Sequence, residues 1–388
     1  MAGLLCLVML TSISGCGKTD IEKTPEQEKI STKEETVSIQ QKIDGYLDDM
    51  TLEEKAAQLF MIQPEAILDV GTAVAAGDTT KKAIDQYPVG GFIYFGDNLQ
   101  SKEQTQEMLS NVQAYYAERM GFPVFLSVDE EGGTVARVAH TGNFDVPHIG
   151  DMADIGASGD IDAAKQVGED IGNYLSELGF NLDFAPVADV LSNPENTVVS
   201  KRSFGSDPEL VSDMAIAVSD GLEENGVLST YKHFPGHGAT EADTHKGYAY
   251  TNKTLEQLEA CELIPFQRCI DADAKIIMAA HISVPEVAGD DTPTSLSKTM
   301  VTDILRNKLG YTGIVVTDAM NMGAITAEYT SGEAAVKALQ AGVDIVLMPE
   351  NFQEAYQGVL DAVKEGTLTE ERIDASVTRI LTVKLAME

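Results

Sequence analysis

The sequence predicts an α/β chain folded as one (β/α)8 barrel, and three observations point there. Eight short β-branched or apolar runs alternate with longer stretches of helical periodicity, the pattern of a parallel sheet wrapped by helices. A polar or glycine-bearing residue follows nearly every run, where the loops of such a barrel would gather at one mouth. From residue 42 to residue 388 no low-complexity linker interrupts the chain, leaving about 345 residues for a single domain.

The runs fall at 59–62, 91–95, 124–128, 182–185, 228–231, 276–279, 314–317 and 344–347. Gln63, Gly96, Asp129, Pro186, Lys232, His281, Asp318 and Pro349 follow them. Apolar residues at helical spacing mark helices over 104–119, 160–178, 210–224 and 331–341, and a last one over 370–387. Doubly wound sheets alternate in the same way, but eight evenly spaced units favour closure. No GxGxxG opens a helix and no Walker-type loop is present, so no nucleotide cofactor is expected.

With 27 Lys+Arg against 62 Asp+Glu, the net charge is −35. That surplus repels phosphate backbones and excludes nucleic acid as a partner. Four cysteines are too few and too scattered for a disulfide framework or a paired zinc site. Cys261 and Cys269, eight apart on a helical stretch, would stand about 12 Å from each other and are expected as free thiols. Trp is absent, which argues against a long row of stacking subsites for a polymer.

The densest chemistry follows the fifth run, in Lys232-His233-Phe234-Pro235-Gly236-His237-Gly238 and Asp243-Thr244-His245. Three of the chain's six His lie there, and an Asp two residues before a His can tune its proton affinity, giving a candidate acid/base dyad. Zinc binding is the rival use, with a zinc-dependent hydrolase using His233, His237 and His245 as the alternative, but His237 and His245 lack a helical i, i+4 spacing and no metal is expected. The second cluster is the buried run ending in Asp318, placed for nucleophilic work, with a helix N-cap as its other reading. Asp129 occupies the same position after the third run, and Arg202 and Arg137 are candidate clamps for a sugar or carboxylate.

Taken together, KHFPGHG with DTH, VDEEGG, RSFGSDP and VVTDAMNMGAI, in this order and spacing, resemble the β-N-acetylhexosaminidases of glycoside hydrolase family 3. The resemblance covers about residues 50–385 and implies removal of terminal, non-reducing β-linked N-acetylglucosamine with retention of configuration. It implies Asp318 as nucleophile and His245, paired with Asp243, as acid/base. Asp129, Arg202, Lys232 and His233 would hold the sugar, with Arg137 supporting them. An imidazole in the acid/base role leaves little negative charge beside the anomeric carbon, so phosphate stays open as an acceptor besides water. The chain ends soon after the last expected helix, without the second domain of many family members. That favours the hexosaminidase branch acting on muropeptides or chitooligosaccharides. The alternatives are a β-glucosidase or β-xylosidase of the same family, and a non-catalytic sugar-binding lipoprotein.

Residues 4–10 are apolar but far short of the about 20 needed to span a bilayer, and Ile13-Ser14-Gly15-Cys16 follows. This resembles a bacterial lipoprotein signal, although no Lys or Arg precedes Leu4. The expected organisation is a signal over 1–15, lipidated Cys16 opening a polar linker to residue 41, and the barrel over 42–388. The expected location is the cell envelope, anchored to the outer face of the cytoplasmic membrane, or periplasmic if a second membrane exists. The enzyme is expected as a monomer.

Overall fold

The short apolar runs become strands close to where the sequence places them. The computed structural model describes residues 39–240 and 249–387. The expected signal, Cys16, nearly all of the 16–41 linker, Asp243 and His245 lie outside the described residues. Eight strands face one core: β1 (Phe60–Ile62), β2 (Gly91–Ile93), β3 (Phe125–Val128), β4 (Leu182–Asp183), β5 (Tyr231–Phe234), β6 (Ile276–Ala279), β7 (Ile314–Thr317) and β8 (Val346–Leu347). Parallel pairing joins them in the order β8-β1-β2-β3-β4 and β5-β6-β7. Parallel bridges Leu182–Leu228 and Val316–Ile345 close the two seams, so the sheet is an eight-stranded barrel. Strands covered on both faces need continuous apolar runs, and Ile314, Val315 and Val316 are accordingly buried.

One strand departs from expectation. The fifth is Tyr231–Phe234, not 228–231; Leu228 contributes only a bridge. Reading by apolar runs stops at Lys232 and His233, yet the polar end of a barrel strand is where pocket residues belong. The register against β6 also slips: Tyr231 pairs with Ile277 and Phe234 with Ala279, three steps against two. An extra residue of this kind breaks the strict alternation of side chains, and both Lys232 and His233 line the same pocket.

Several of the helices that follow the strands have starts written locally. Ser101, Asp160 and Asp207 accept backbone N–H bonds at the starts of Lys102–Met120, Ile161–Leu178 and Pro208–Glu224, and Pro208 sits at the first helical position. Thr330 with Glu333 forms a capping box before Ser331–Ala341. The helices Ile161–Leu178 and Pro208–Glu224 meet backbone to backbone. A Cβ on Gly168 would lie 2.1 Å from the Val218 carbonyl oxygen, and one on Gly221 would lie 2.5 Å from that of Lys165.

Charge is buried at the N-terminal ends of the strands. Asp344, just before β8, accepts the Val315 amide and pairs with Arg306 at 2.6 Å and Arg379 at 3.1 Å, with Arg372 at 3.9 Å. Lys384 of the last helix, Glu370–Leu385, is fully buried and donates to Gln58 Oε1 at 3.0 Å. Its ammonium lies 5.0–5.3 Å from the ring centroids of Tyr116, Phe122 and Phe125. Burial without a carboxylate holds its pKa well below the usual lysine value.

Candidate active site

At the opposite end, the C-terminal ends of the strands surround a pocket of about 290 Å³. Asp129, Arg137, Arg202, Lys232, His233 and Asp318 all line it, so six residues named from the sequence converge although they span five loops and strand ends. A larger hollow of about 430 Å³ lies between the loops after β7 and β8, but it is lined by neither a cation nor a histidine.

The chain turns back immediately after β3. Glu130–Gly132 pairs antiparallel with Val135–Ala136, with Gly132 and Gly133 at positive φ in the turn. This hairpin brings Glu131, which sequence reasoning did not single out, into the wall beside Asp129. The carboxylate of Glu131 accepts Arg202 Nε at 2.7 Å and Nη2 at 2.6 Å, a bidentate pair. Lys232 Nζ sits 2.6 Å from Glu131 and 2.9 Å from Asp129. Two acids and two bases thus form one buried quartet. Burial would raise the Glu131 pKa, but Arg202 and Lys232 hold it well below the ordinary carboxylate range. Burial likewise works against charged Lys232, and Asp129 and Glu131 override it, raising its pKa.

A second residue missed in the sequence is Asp189, fully buried in the run 184–190. Its Oδ2 lies 2.7 Å from His233 Nδ1, and its Oδ1 accepts the backbone amides of His233 and His237 at 3.2 and 2.6 Å. Asp189 therefore fixes the imidazole of His233, whose Nε2 faces Arg202 Nη2 at 3.3 Å. A buried acid inside an apolar stretch was the available signal, because an ionised group there must have partners. His237 also lines the pocket, and burial lowers its pKa. Among the described residues no group of three or more metal-competent side chains is gathered.

Asp318 directly follows β7 and its amide donates to the Ala279 carbonyl at 2.8 Å, which fixes the residue to the neighbouring strand. Its Oδ1 accepts the next amide, Ala319 N, at 2.8 Å. The next helix, Gly323–Thr326, begins beyond Met322, so Asp318 is no N-cap. Burial would raise its pKa; His281, His233, the Ala319 amide and Lys232 lower it further, leaving a carboxylate held ionised in the pocket.

A (β/α)8 barrel whose mouth presents an ionised carboxylate opposite fixed hydrogen-bond donors has the arrangement of an enzyme barrel suited to nucleophilic work. The chain belongs to glycosyl hydrolase family 3: residues 51–383 match the family's N-terminal domain. Beta-hexosaminidase A of Pseudoalteromonas piscicida is 34% identical over 328 residues, covering 78% of this chain and 54% of that protein. Beta-hexosaminidase LpqI of Mycobacterium tuberculosis is 36% identical over 272 residues, 68% of each chain. A family 3 β-N-acetylglucosaminidase structure from Paenibacillus sp. str. FPU-7 superposes with a TM-score of 0.81 at 37% identity, covering 87% of this chain and 63% of that one. The chain thus spans about half the length of the first of these relatives and under two thirds of the last.

Proposed function

We propose that this protein is a retaining exo-β-N-acetylglucosaminidase that removes terminal β-linked N-acetylglucosamine from peptidoglycan fragments or chitooligosaccharides. The observation that carries the reading is Asp318: a carboxylate held ionised at a strand end, in a pocket whose other wall is the Asp129–Glu131–Arg202–Lys232 quartet. The names of the relatives support the amino sugar as substrate. A pocket of about 290 Å³ has room for one sugar ring, at the low end of the range of small-molecule sites, which suits removal of a terminal unit.

In the first step an Asp318 oxygen attacks the anomeric carbon, the bond to the aglycone oxygen breaks, and His245 delivers its proton to that oxygen. In the second, water attacks the same carbon and gives its proton to His245, the ester bond to Asp318 breaks, and the sugar leaves with its original configuration. Asp243 orients His245. Lys232, Arg202 and His233 donate to the sugar's oxygens, while Asp129 accepts from a hydroxyl. Because the quartet is already charge-balanced, it can bind a neutral sugar without an uncompensated charge on either side.

The test is nitrophenol release from the β-N-acetylglucosaminide beside the β-glucoside, for the wild type, Asp318→Ala and His245→Ala. The reading requires preference for the amino sugar, near-complete loss in Asp318→Ala, and a His245→Ala defect that shrinks with activated leaving groups. Turnover of neither substrate, or activity kept in Asp318→Ala, overturns it. We place the protein at the outer face of the cytoplasmic membrane, anchored through Cys16. Acyl-chain labelling lost in Cys16→Ala supports that placement, and an unlabelled wild type removes it.

A further inference from the structure

His281 follows β6 as Asp318 follows β7, and the two strands pair along their length. Its side chain is buried and does not line the pocket. Both ring nitrogens are nevertheless engaged. Nε2 lies 3.0 Å from the Ala319 carbonyl oxygen, and Nδ1 lies 2.8 Å from Ser295 Oγ. A carbonyl can only accept, which assigns a proton to Nε2; the Ser295 hydroxyl, able to donate or accept, then answers Nδ1. Ser295 is itself fixed. Its amide donates to the Ala280 carbonyl at 3.0 Å, and the neighbouring Thr294 hydroxyl donates to the Ile282 carbonyl at 2.7 Å. The imidazole is therefore held in one orientation from both sides.

The carbonyl that His281 grips belongs to the residue after Asp318, and the amide of that same residue donates to Asp318 Oδ1 at 2.8 Å. The segment is tied to the strands on either side: the Asp318 amide donates to Ala279 of β6 and the Met320 amide to Leu347 of β8, each at 2.8 Å. Between those ties the Ala319 carbonyl is turned by His281 Nε2 and by the Met322 amide, the latter at 3.1 Å. The direction of that carbonyl limits how Ala319 can rotate, and with it where the amide that meets the Asp318 carboxylate points. Against burial, His281 also does most to keep the Asp318 carboxyl ionised, ahead of His233, the Ala319 amide and Lys232.

We propose that His281 is a positioning residue for the attacking carboxylate: through Ala319 it holds the amide that aims Asp318 at the anomeric carbon. The proposal rests on the glucosaminidase reading, in which Asp318 attacks, and adds a residue that acts on that step from outside the pocket. A defect in aim slows the attack whatever the leaving group, whereas a defect in proton delivery shrinks as the leaving group improves. That difference separates His281 from the acid/base.

The experiment measures kcat/KM for a series of aryl β-N-acetylglucosaminides of graded leaving-group acidity. The full chain is used as wild type, Asp318→Ala, His281→Leu, His281→Gln and Ser295→Ala, with the thermal midpoint of each recorded. His281→Leu should lose about 10²-fold, by the same factor across the series, the scale of a misplaced reacting group. The inhibition constant of free N-acetylglucosamine should stay within about threefold of the wild type, since ground-state binding is not at stake. His281→Gln, whose amide N–H can reach the Ala319 carbonyl, should recover about tenfold of that loss, the worth of one hydrogen bond. Ser295→Ala, which frees Nδ1, should show a smaller, equally uniform loss of about threefold to tenfold. A His281→Leu loss that shrinks with better leaving groups overturns the proposal, as does a folded His281→Gln no more active than His281→Leu. Unchanged kcat/KM in Ser295→Ala also overturns it, and decides the matter if His281→Leu does not fold. When Asp318→Ala is inactive and the His281 variants match the wild type, this proposal falls alone. No turnover by the wild type, or full activity in Asp318→Ala, removes the glucosaminidase reading and this proposal with it.

Discussion

At the mouth of the barrel Glu131 and Asp129 face Lys232 and Arg202, acid for base; at the opposite end, among the described residues, Asp344 alone faces Arg306, Arg372 and Arg379, and Lys384 meets no carboxylate. The two ends solve the same problem, charge removed from water, by different means. The mouth uses ion pairs, which keep hydrogen-bonding capacity pointed at a ligand. The other end adds dipoles and ring faces to the ion pairs of its one acid, Asp344. Arg306 donates through Nε and Nη2 to the Gly342 carbonyl at 3.0 and 2.8 Å, and Arg372 Nε donates to Leu339 at 2.9 Å. Those carbonyls belong to the C-terminal end of helix Ser331–Ala341, whose dipole favours cations. Lys384 rests among three aromatic rings. The difference teaches that the quartet at the working end keeps polar atoms open to a pocket, whereas the buried cations of the structural end are closed off by carbonyls and rings.

The comparison can be tested from its strongest consequence to its weakest. Asp318→Ala should lower kcat by at least about 10³-fold with the thermal midpoint nearly kept, since its charge serves the transition state. An equally large loss of stability would blur the division between the ends. Asp344→Asn should do the reverse: a loss of about 3–5 kcal/mol in urea unfolding, from leaving buried arginines without their anion, with kcat little changed at temperatures where the protein stays folded.

Glu131→Gln belongs between these, touching both stability and binding. It should raise KM and lower stability at neutral pH by about 1–3 kcal/mol. Because the folded-state pKa of Glu131 lies below the ordinary glutamate value of about 4.5, its contribution is present above that value and is lost as pH falls through the folded one. The variant's acid-unfolding curve should therefore be shallower than the wild type's in that range.

The smallest expected effect concerns Lys384→Met. The folded pKa of Lys384 lies well below 10.5, so between the two values the unfolded chain binds more protons and stability rises with pH. Urea unfolding at pH 7 and pH 9.5 should show that rise in the wild type and less of it in the variant. Identical slopes would mean that the rings and Gln58 stabilise the ammonium as well as water does.

Much of the fold was legible in the sequence because barrel strands buried on both faces must be continuous apolar runs, and the position of Asp318 was legible because a residue just after such a run comes to the mouth of the barrel. Helix positions were legible through apolar periodicity, and their ends are fixed locally, as at Asp160 and Thr330, whose side chains act within three residues. Glu131 and Asp189 were not, because their partners Arg202 and His233 lie 71 and 44 residues away and meet them only once the barrel closes. The fifth strand was misplaced for a related reason: its polar end is set by pairing with β6 and not by its own hydrophobicity.

The contact of Gly168 and Gly221 with the facing helix has a mechanical meaning. Most helices of the barrel can roll slightly as side chains change rotamer, but here two backbones touch with no adjustable group between them. That quarter of the wall acts as a pinned joint. A wall without adjustable groups there keeps Asp189 and Arg202 on a firm base and leaves adjustment at the mouth to the loops above the strands.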